Sequence, residues 1–186
     1  LQHRGQEGAG IVSCDGDTLR AHRGVGLVAD VFKPHRLANL PGDIAIGHVR
    51  YSTFGTSELK NVQPLIVDYS RGSMAVCHNG NLVNAARLRE ELEDQGAIFH
   101  STTDTGVILH LIARSKKERF AESVIDALNQ VAGAYSILAT NGKELVAARD
   151  PFGFRPLWLG RLGGRTCWRA RPAPSTSSTP NGCARW

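Results

Sequence analysis

Residues 78–81 read His-Asn-Gly-Asn and directly follow an apolar run, Met-Ala-Val-Cys, at 74–77. This pattern is typical of a β-strand that ends in a turn. An Asn side chain followed by Gly offers an amide N–H and an unobstructed backbone N–H, two donors that can face one developing oxyanion. Asn79 and Gly80 are therefore candidate oxyanion-hole residues. An ordinary Asn-Gly turn is the alternative interpretation.

Two other segments supply groups of opposite charge. Arg50, in Gly-His-Val-Arg-Tyr at 47–51, carries a guanidinium fork that suits an α-carboxylate. Asp104, in Thr-Thr-Asp at 102–104, suits an α-ammonium group, and Thr53 is a candidate hydroxyl donor to the same substrate. With the oxyanion donors, these groups predict a site that holds free glutamine while its amide is cleaved. A paired Arg, a loop hydroxyl and a helix N-cap are the alternatives.

Composition and charge argue against several other classes of protein. The 186 residues are 41% hydrophobic and 21% charged, as in an ordinary globular domain. The formal net charge is +5, but residues 164–186 hold four arginines and no acidic residue, so the remaining 163 residues carry 18 basic and 17 acidic side chains. We therefore expect no nucleic-acid binding. No apolar run is long enough to span a membrane, and the four cysteines lack C-x-x-C spacing, so we expect a cytoplasmic protein without a metal site.

The order of hairpins and central helices predicts an α+β layered domain. Strands are expected at 8–13, 19–23, 44–51, 65–68, 74–77, 134–140 and 144–149. Helices are expected over 84–95, from 103 or 104 onward, and over 120–131. The last two strands are joined by Asn141-Gly142, which favours a type I′ hairpin.

The sequence changes character at residue 164. It becomes rich in Arg, Pro, Ser and Thr without periodicity, which is typical of a disordered tail. When residues 167–185 are back-translated with suitable wobble bases and read one base earlier, the result resembles a strand followed by a helix. We therefore expect a domain over residues 1–163 and a frame-shifted, disordered tail over 164–186.

Four blocks, in order, resemble the glutaminase domain of the amidophosphoribosyltransferase family, which makes the first committed intermediate of purine synthesis. The blocks are Leu-Gln-His-Arg-Gly-Gln-Glu-Gly-Ala-Gly at 1–10, Gly-His-Val-Arg-Tyr-Ser-Thr at 47–53, His-Asn-Gly-Asn-Leu at 78–82 and Arg-Asp-Pro-Phe-Gly-Phe-Arg-Pro-Leu at 149–157. The first two blocks separate this family from the related glucosamine-6-phosphate synthases and asparagine synthetases. Another class II glutamine amidotransferase stays open as an alternative.

The resemblance implies the N-terminal-nucleophile hydrolase fold, an αββα sandwich of two antiparallel sheets between helical layers, here expected to be incomplete at both ends. It implies that Arg50 binds the α-carboxylate, Asp104 the ammonium group, and Asn79 with Gly80 the oxyanion. The family nucleophile is an N-terminal Cys whose own α-amino group is the base. The sequence as given begins at Leu1. We therefore expect no glutamine hydrolysis by this sequence, and a non-catalytic glutamine-binding or interaction domain is a second alternative.

Further implications concern the complete enzyme alone. The resemblance implies phosphoribosyl pyrophosphate as its second substrate, magnesium, an iron–sulfur cluster in some members, and a homo-oligomer. No cofactor is expected in this chain. Cys14 is expected to end a strand and Cys77 to lie in the core, so neither is expected to replace the nucleophile.

Overall fold

Two antiparallel sheets, packed face to face, form the framework of the domain. The structure, a computed structural model, describes residues 5–51, 58–170 and 184–185. One sheet has the strand order β2-β1-β3 and the other β4-β5-β6-β7. Their bounds are β1 Gly8–Asp15, β2 Thr18–Val25, β3 Ile44–Arg50, β4 Leu65–Tyr69, β5 Gly72–Leu82, β6 Gly133–Thr140 and β7 Leu145–Arg149. The predicted hairpins β1–β2, β4–β5 and β6–β7 are confirmed.

A small apolar layer joins the two sheets. Val12 and Cys14 of β1 and Ile46 of β3 pack against Ala75 and Cys77 of β5. These residues lie two apart along their strands, as expected when alternate side chains point to one face of a sheet. The layer therefore fixes which face of β5 is turned towards the first sheet.

The larger core lies on the other face of the four-stranded sheet, under three helices. Met74, Val76 and Ile137 from the strands meet Ile112 and Val124 from the helices, and all five are fully buried. The helices are α3 Ala85–Asp94, α4 Thr105–Arg114 and α5 Phe120–Leu128, and two single-turn helices, α1 Val28–Val31 and α2 Pro34–Leu37, follow β2. The predicted α+β sandwich of antiparallel sheets is confirmed. None of the described helices is long and apolar enough to cross a membrane.

The C-terminal end of α4 is held by Arg71, from the turn between β4 and β5. Its guanidinium donates hydrogen bonds to the carbonyl oxygens of Ile112, at 3.5 Å, Ser115, at 2.7 Å, and Lys117. The last carbonyls of a helix have no partner inside the helix, so a cation at this end satisfies them. Arg71 thereby fixes α4 against the strand pair that it covers.

The turn at Asn141 differs from the predicted type I′ turn. Strands β6 and β7 are separated by four residues, and no described residue other than glycine has a positive φ. A type I′ turn needs positive φ at both central residues, so that prediction is wrong. Instead, Asn141 Oδ1 accepts hydrogen bonds from the backbone N–H of Lys143, at 3.0 Å, and of Glu144, at 2.8 Å. Hydrogen bonds from the following backbone to an Asn side chain form an Asx turn.

A further hairpin crosses the predicted domain boundary. Strands β8 Trp158–Leu162 and β9 Arg165–Arg169 pair antiparallel, and β10 Ala184–Arg185 pairs with β8. Gly163 and Gly164 both have positive φ, 56° and 79°, which suits a tight two-residue turn. Arg165–Arg169 thus form a strand inside the predicted tail, and the domain boundary at residue 163 stays a prediction. Residues 171–183 and 186 lie outside the described residues, and the frame shift stays a prediction.

We predict that Ile112→Ala lowers the free energy of unfolding by about 2–5 kcal/mol, because it opens a cavity in the fully buried layer between α4 and the sheet. The same substitution at Ile98, whose side chain is 76% exposed, should change it by less than about 0.5 kcal/mol. Urea unfolding followed by circular dichroism measures both. Equal losses at the two positions would contradict this account of the core.

Candidate functional site

Four of the predicted site residues line one cavity. It has a volume of about 260 Å³ and lies where β3, β5 and the start of α4 converge. Its lining includes Arg50, Asn79, Gly80 and Asp104, from three separate segments of the chain. The structure therefore brings these residues together, while their roles stay predictions. Thr53 lies outside the described residues.

Asn79 and Gly80 belong to a strand and not to the predicted turn. Strand β5 continues to Leu82, and Asn79 and Gly80 lie opposite Ser136 and Tyr135 of β6. The turn prediction is wrong because pairing with β6 extends the strand beyond the apolar run. On its other edge, β5 pairs with β4 only as far as Val76. Beyond that residue, this edge of β5 has no strand partner among the described residues.

Two backbone N–H groups along this open edge of β5 donate to side chains. The His78 N–H donates to Gln63 Oε1 at 2.6 Å, and the Leu82 N–H donates to Asp104 Oδ2 at 3.1 Å. Amides two residues apart point to the same edge of a strand, so the Gly80 N–H points there too. It has no side-chain or loop acceptor in the part of the chain that the structure describes. A backbone donor at the cavity is thus available for a developing negative charge.

Position 80 accepts only glycine. A Cβ added there would lie 2.0 Å from the carbonyl oxygen of Ala134 and 2.7 Å from His78 Nε2. Both distances are far below van der Waals contact, so any side chain would force β5 and β6 apart. The glycine in the Asn-Gly pair is therefore required by the close approach of neighbouring atoms.

Asp104 faces the cavity from the N-terminal end of α4. It occupies the predicted N-cap position, but its carboxylate makes no cap hydrogen bond. Instead, one oxygen accepts the Leu82 N–H, and the other lies 3.4 Å from His78 Nδ1. Burial raises the pKa of this carboxyl, but the hydrogen bond and charge of His78, with the N–H groups of Leu82 and Thr105, outweigh burial and lower it. The resulting carboxylate is suited to a bound cation.

Arg50 is buried at the end of β3, with 4% of its surface exposed. Its Nη1 donates to the carbonyl oxygen of Asn61 at 2.9 Å, and its Nε lies 3.8 Å from Glu7 Oε2. A guanidinium carries five N–H donors in a fixed plane, so these contacts orient the fork that lines the cavity. Arg50 can therefore be paired within the protein, as the alternative interpretation held, and still have N–H donors for a substrate carboxylate.

Asn61 connects the arginine to the loop that carries Asp104, and the sequence analysis missed it. The residue is fully buried. Its Oδ1 accepts the Thr102 N–H at 3.0 Å and the Ser101 hydroxyl at 3.1 Å, and its Nδ2 donates to Thr102 Oγ1 at 2.9 Å. Asn and Gln spaced two apart just before β4 were the available signal, but polar residues between strands are usually ordinary loop residues.

The histidines at the cavity have structural contacts. Burial, followed by the charges of His78 and Arg50, lowers the pKa of His48 to about 4. A hydrogen bond with the His78 backbone opposes this shift. His48 is therefore neutral at neutral pH. His3 lies outside the described residues. Within the described residues, no group of three or more His, Cys, Asp or Glu side chains is arranged to hold a metal ion.

The buried thiols of Cys14 and Cys77 are poor nucleophiles. Burial raises the pKa of Cys14, although a hydrogen bond with Thr140 opposes it, and burial raises that of Cys77 to about 12. Since the thiolate is the reactive form, both thiols are protonated and inert at neutral pH. The placement of Cys77 in the core, 5% exposed between the sheets, is confirmed.

Comparison with known proteins finds similarity to one family over most of the chain. The model of the glutamine amidotransferase domain matches residues 48–171. Amidophosphoribosyltransferase 3, chloroplastic, of Arabidopsis thaliana is 58% identical over 87% of this chain and 30% of its own length. The Bacillus subtilis amidophosphoribosyltransferase is 48% identical over 88% of this chain and 34% of its own length. The solved glutamine phosphoribosylpyrophosphate amidotransferase from B. subtilis, complexed with ADP and GMP, superposes with a TM-score of 0.82 at 48% identity, over 88% of this chain and 35% of that one.

The chain belongs to the glutamine amidotransferase domain family. The resemblance to the glutaminase domain of amidophosphoribosyltransferases is confirmed by the identities and by the superposition. The N-terminal-nucleophile hydrolase fold class that it implied is confirmed as well. The chain spans about a third of the length of the curated relatives that it matches.

We predict that Gly80→Ala lowers the free energy of unfolding by about 1–3 kcal/mol or more, since its Cβ would clash with backbone on β6. Gly47→Ala is the matched control on β3, because a Cβ there meets its nearest neighbours at 3.5 Å, an ordinary contact. Denaturant unfolding of the two variants measures the difference. A Gly80→Ala protein as stable as Gly47→Ala would show that the strand can yield at this point.

Proposed function

We propose that this domain binds free L-glutamine in the cavity and orients its side-chain amide for hydrolysis. The observation that carries the proposal is the open Gly80 N–H in the same cavity as the Asp104 carboxylate and the Arg50 guanidinium. Arg50 binds the α-carboxylate, and Asp104 binds the α-ammonium group. Asn79 and Gly80 donate to the amide oxygen, and Thr53 adds a hydroxyl to the substrate.

The chemical step follows the family mechanism. The thiolate of an N-terminal Cys attacks the amide carbon, with its own α-amino group as the base. The amide oxygen becomes an oxyanion that accepts hydrogen bonds at Gly80 and Asn79. The protonated α-amino group gives its proton to the amide nitrogen, so collapse of this intermediate expels ammonia and leaves a thioester. Water then hydrolyses the thioester to glutamate and the free thiol. Neither Cys14 nor Cys77 supplies this nucleophile, because burial keeps both thiols protonated.

The role in the complete enzyme is proposed from the relatives' names. Ammonia released here would react with phosphoribosyl pyrophosphate, giving phosphoribosylamine for purine biosynthesis. Magnesium, an iron–sulfur cluster and a homo-oligomeric state are proposals for that enzyme, with no cofactor in this chain. A cytoplasmic location stays a prediction, and some plant relatives are named chloroplastic. The second candidate function is glutamine binding without turnover, favoured by the protonated state of the two buried thiols.

We predict that the 186-residue protein binds L-glutamine and that Arg50→Lys or Asp104→Asn weakens binding about tenfold or more. Lysine keeps the charge but loses the fork, and asparagine keeps the shape but loses the charge. A hydrogen bond to a charged group contributes about 1.5–3 kcal/mol, which corresponds to this loss. Isothermal titration calorimetry measures it. Arg87→Lys and Asp68→Asn, both at exposed positions, are matched controls and should bind as the wild type does.

We predict that the 186-residue protein releases no measurable glutamate from glutamine. Without an attacking group, an oxyanion hole has little to stabilise. The comparison protein carries the family's Cys-containing segment joined ahead of Leu1 and should be active in a coupled glutamate assay. Turnover by the shorter protein that Cys77→Ala abolishes would instead assign the nucleophile to Cys77.

A further inference from the structure

Gln63 lies where strand β4 would continue along the open edge of β5. In the β4–β5 register, Leu65 lies opposite Val76. Extending that register by two residues would place the backbone of residue 63 opposite His78. In the structure the Gln63 side chain takes this place, and its Oε1 accepts a hydrogen bond from the His78 N–H at 2.6 Å. The side chain thus replaces the carbonyl that a regular ladder would offer.

The next step of the same register concerns the oxyanion donor. A ladder extended by two more residues would place residue 61 opposite Gly80, and a backbone carbonyl could then take the Gly80 N–H. The chain instead turns into a short 3-10 helix, Leu59–Asn61. The Asn61 carbonyl accepts Arg50 Nη1 at 2.9 Å. The Gly80 N–H is therefore left to the cavity.

Gln63 is fixed on two further sides. Its Nε2 donates to Thr105 Oγ1 at 3.0 Å, and both side chains are buried. Thr105 is the first residue of α4 and directly follows Asp104. The backbone of Gln63 is packed so closely on β1 that a Cβ at Gly10 would lie 2.2 Å from the Gln63 carbonyl oxygen. One amide group thus links the oxyanion strand to the helix end that carries the ammonium-binding carboxylate.

We infer that Gln63 is a positioning residue for amide recognition. Its side chain ends the β4–β5 ladder, satisfies the His78 N–H and leaves the Gly80 N–H to the substrate. The inference rests on the proposed function, because it assigns to Gly80 the binding of the glutamine amide oxygen. Gln63 acts through β5 and α4 and forms no bond with the reacting atoms.

The first arm of the test uses the ligand-free 186-residue protein. In Gln63→Leu, amide hydrogen exchange at His78 should accelerate about tenfold or more, and the ¹H–¹⁵N resonances of Gly80 and Thr105 should both shift. Gln63→Glu keeps an acceptor for the His78 N–H and should restore slow exchange there. Asn84→Leu is the matched control, because the Asn84 amide also uses its donor and its acceptor, with Gln130 and Ala132, away from the cavity. It should leave these three resonances in place.

The second arm measures binding by NMR titration with two ligands. L-glutamine carries the amide, whereas L-norvaline presents the same α-amino acid head without it. Gln63→Leu should weaken glutamine binding about tenfold and change norvaline binding less than about twofold, and Gln63→Glu should recover most of the loss. If the leucine variant does not fold, Gln63→Asn replaces it, since its amide ends one methylene short of His78.

The outcomes separate this inference from the proposed function. Equal weakening of both ligands would show a merely structural role and would overturn the inference. An unmoved Gly80 resonance in Gln63→Leu would overturn it as well. If the wild type binds no glutamine, the proposed function fails, and the inference fails with it as a statement about amide recognition. If the wild type binds glutamine and no Gln63 substitution changes that binding, the inference is overturned and the proposed function stands.

Discussion

A backbone N–H forms one strong hydrogen bond. The site depends on which acceptors the N–H groups of His78, Gly80 and Leu82 on β5 use. Alternate amides on one strand edge lie about 6.5–7 Å apart. The Gln63 side chain takes the first and the Asp104 carboxylate takes the third, while the amide of Gly80 between them faces the cavity. The open donor at the cavity thus follows from sheet geometry, and position 80 is glycine because β6 leaves no room for a side chain.

The charged groups of the cavity are placed by buried neutral ones. Asn61 accepts from or donates to three groups around the loop that carries Asp104, and its carbonyl holds Arg50. Within a low-dielectric interior, satisfied networks of this kind are rigid, because each broken bond leaves an unpaired polar group behind. The charges of Arg50 and Asp104 are therefore held in place by neutral groups. The ionised state of Asp104 likewise comes from its donors, since burial alone would favour the neutral acid.

The sequence predicted those parts of the fold and site that local chemistry determines. The hairpins β1–β2 and β6–β7 and helices α3 to α5 follow from periodicity, and Arg50, Asn79, Gly80 and Asp104 were identified from the functional groups that they carry. The contributions of Asn61 and Gln63 could not be predicted, because they arise from contacts with residues 15 to 42 positions away in the chain.

The differences between the sequence prediction and the structure have two physical causes, a local side-chain turn and strand pairing. Asn141 forms its turn through its side chain, which a rule about backbone angles does not capture. The Asn79-Gly80 pair lies in a strand because β6 pairs with it, and tertiary pairing outweighs the turn preference of Asn-Gly. Residues Arg165–Arg169 form a strand because Gly163-Gly164 turns the chain back onto β8. For Asn79-Gly80 and for Arg165–Arg169, pairing with another strand decided the structure.

The shared edge of β5 also bears on the solubility of the folded domain. An uncovered strand edge exposes a row of alternating donors and acceptors on which another chain can build intermolecular sheet. Here the side chains of Gln63 and Asp104 cover two of the successive donors, so a passing strand meets a single open amide at Gly80. One amide is enough for a small ligand and too few to template a ladder. The same side chains thereby hinder edge-to-edge pairing along this part of β5.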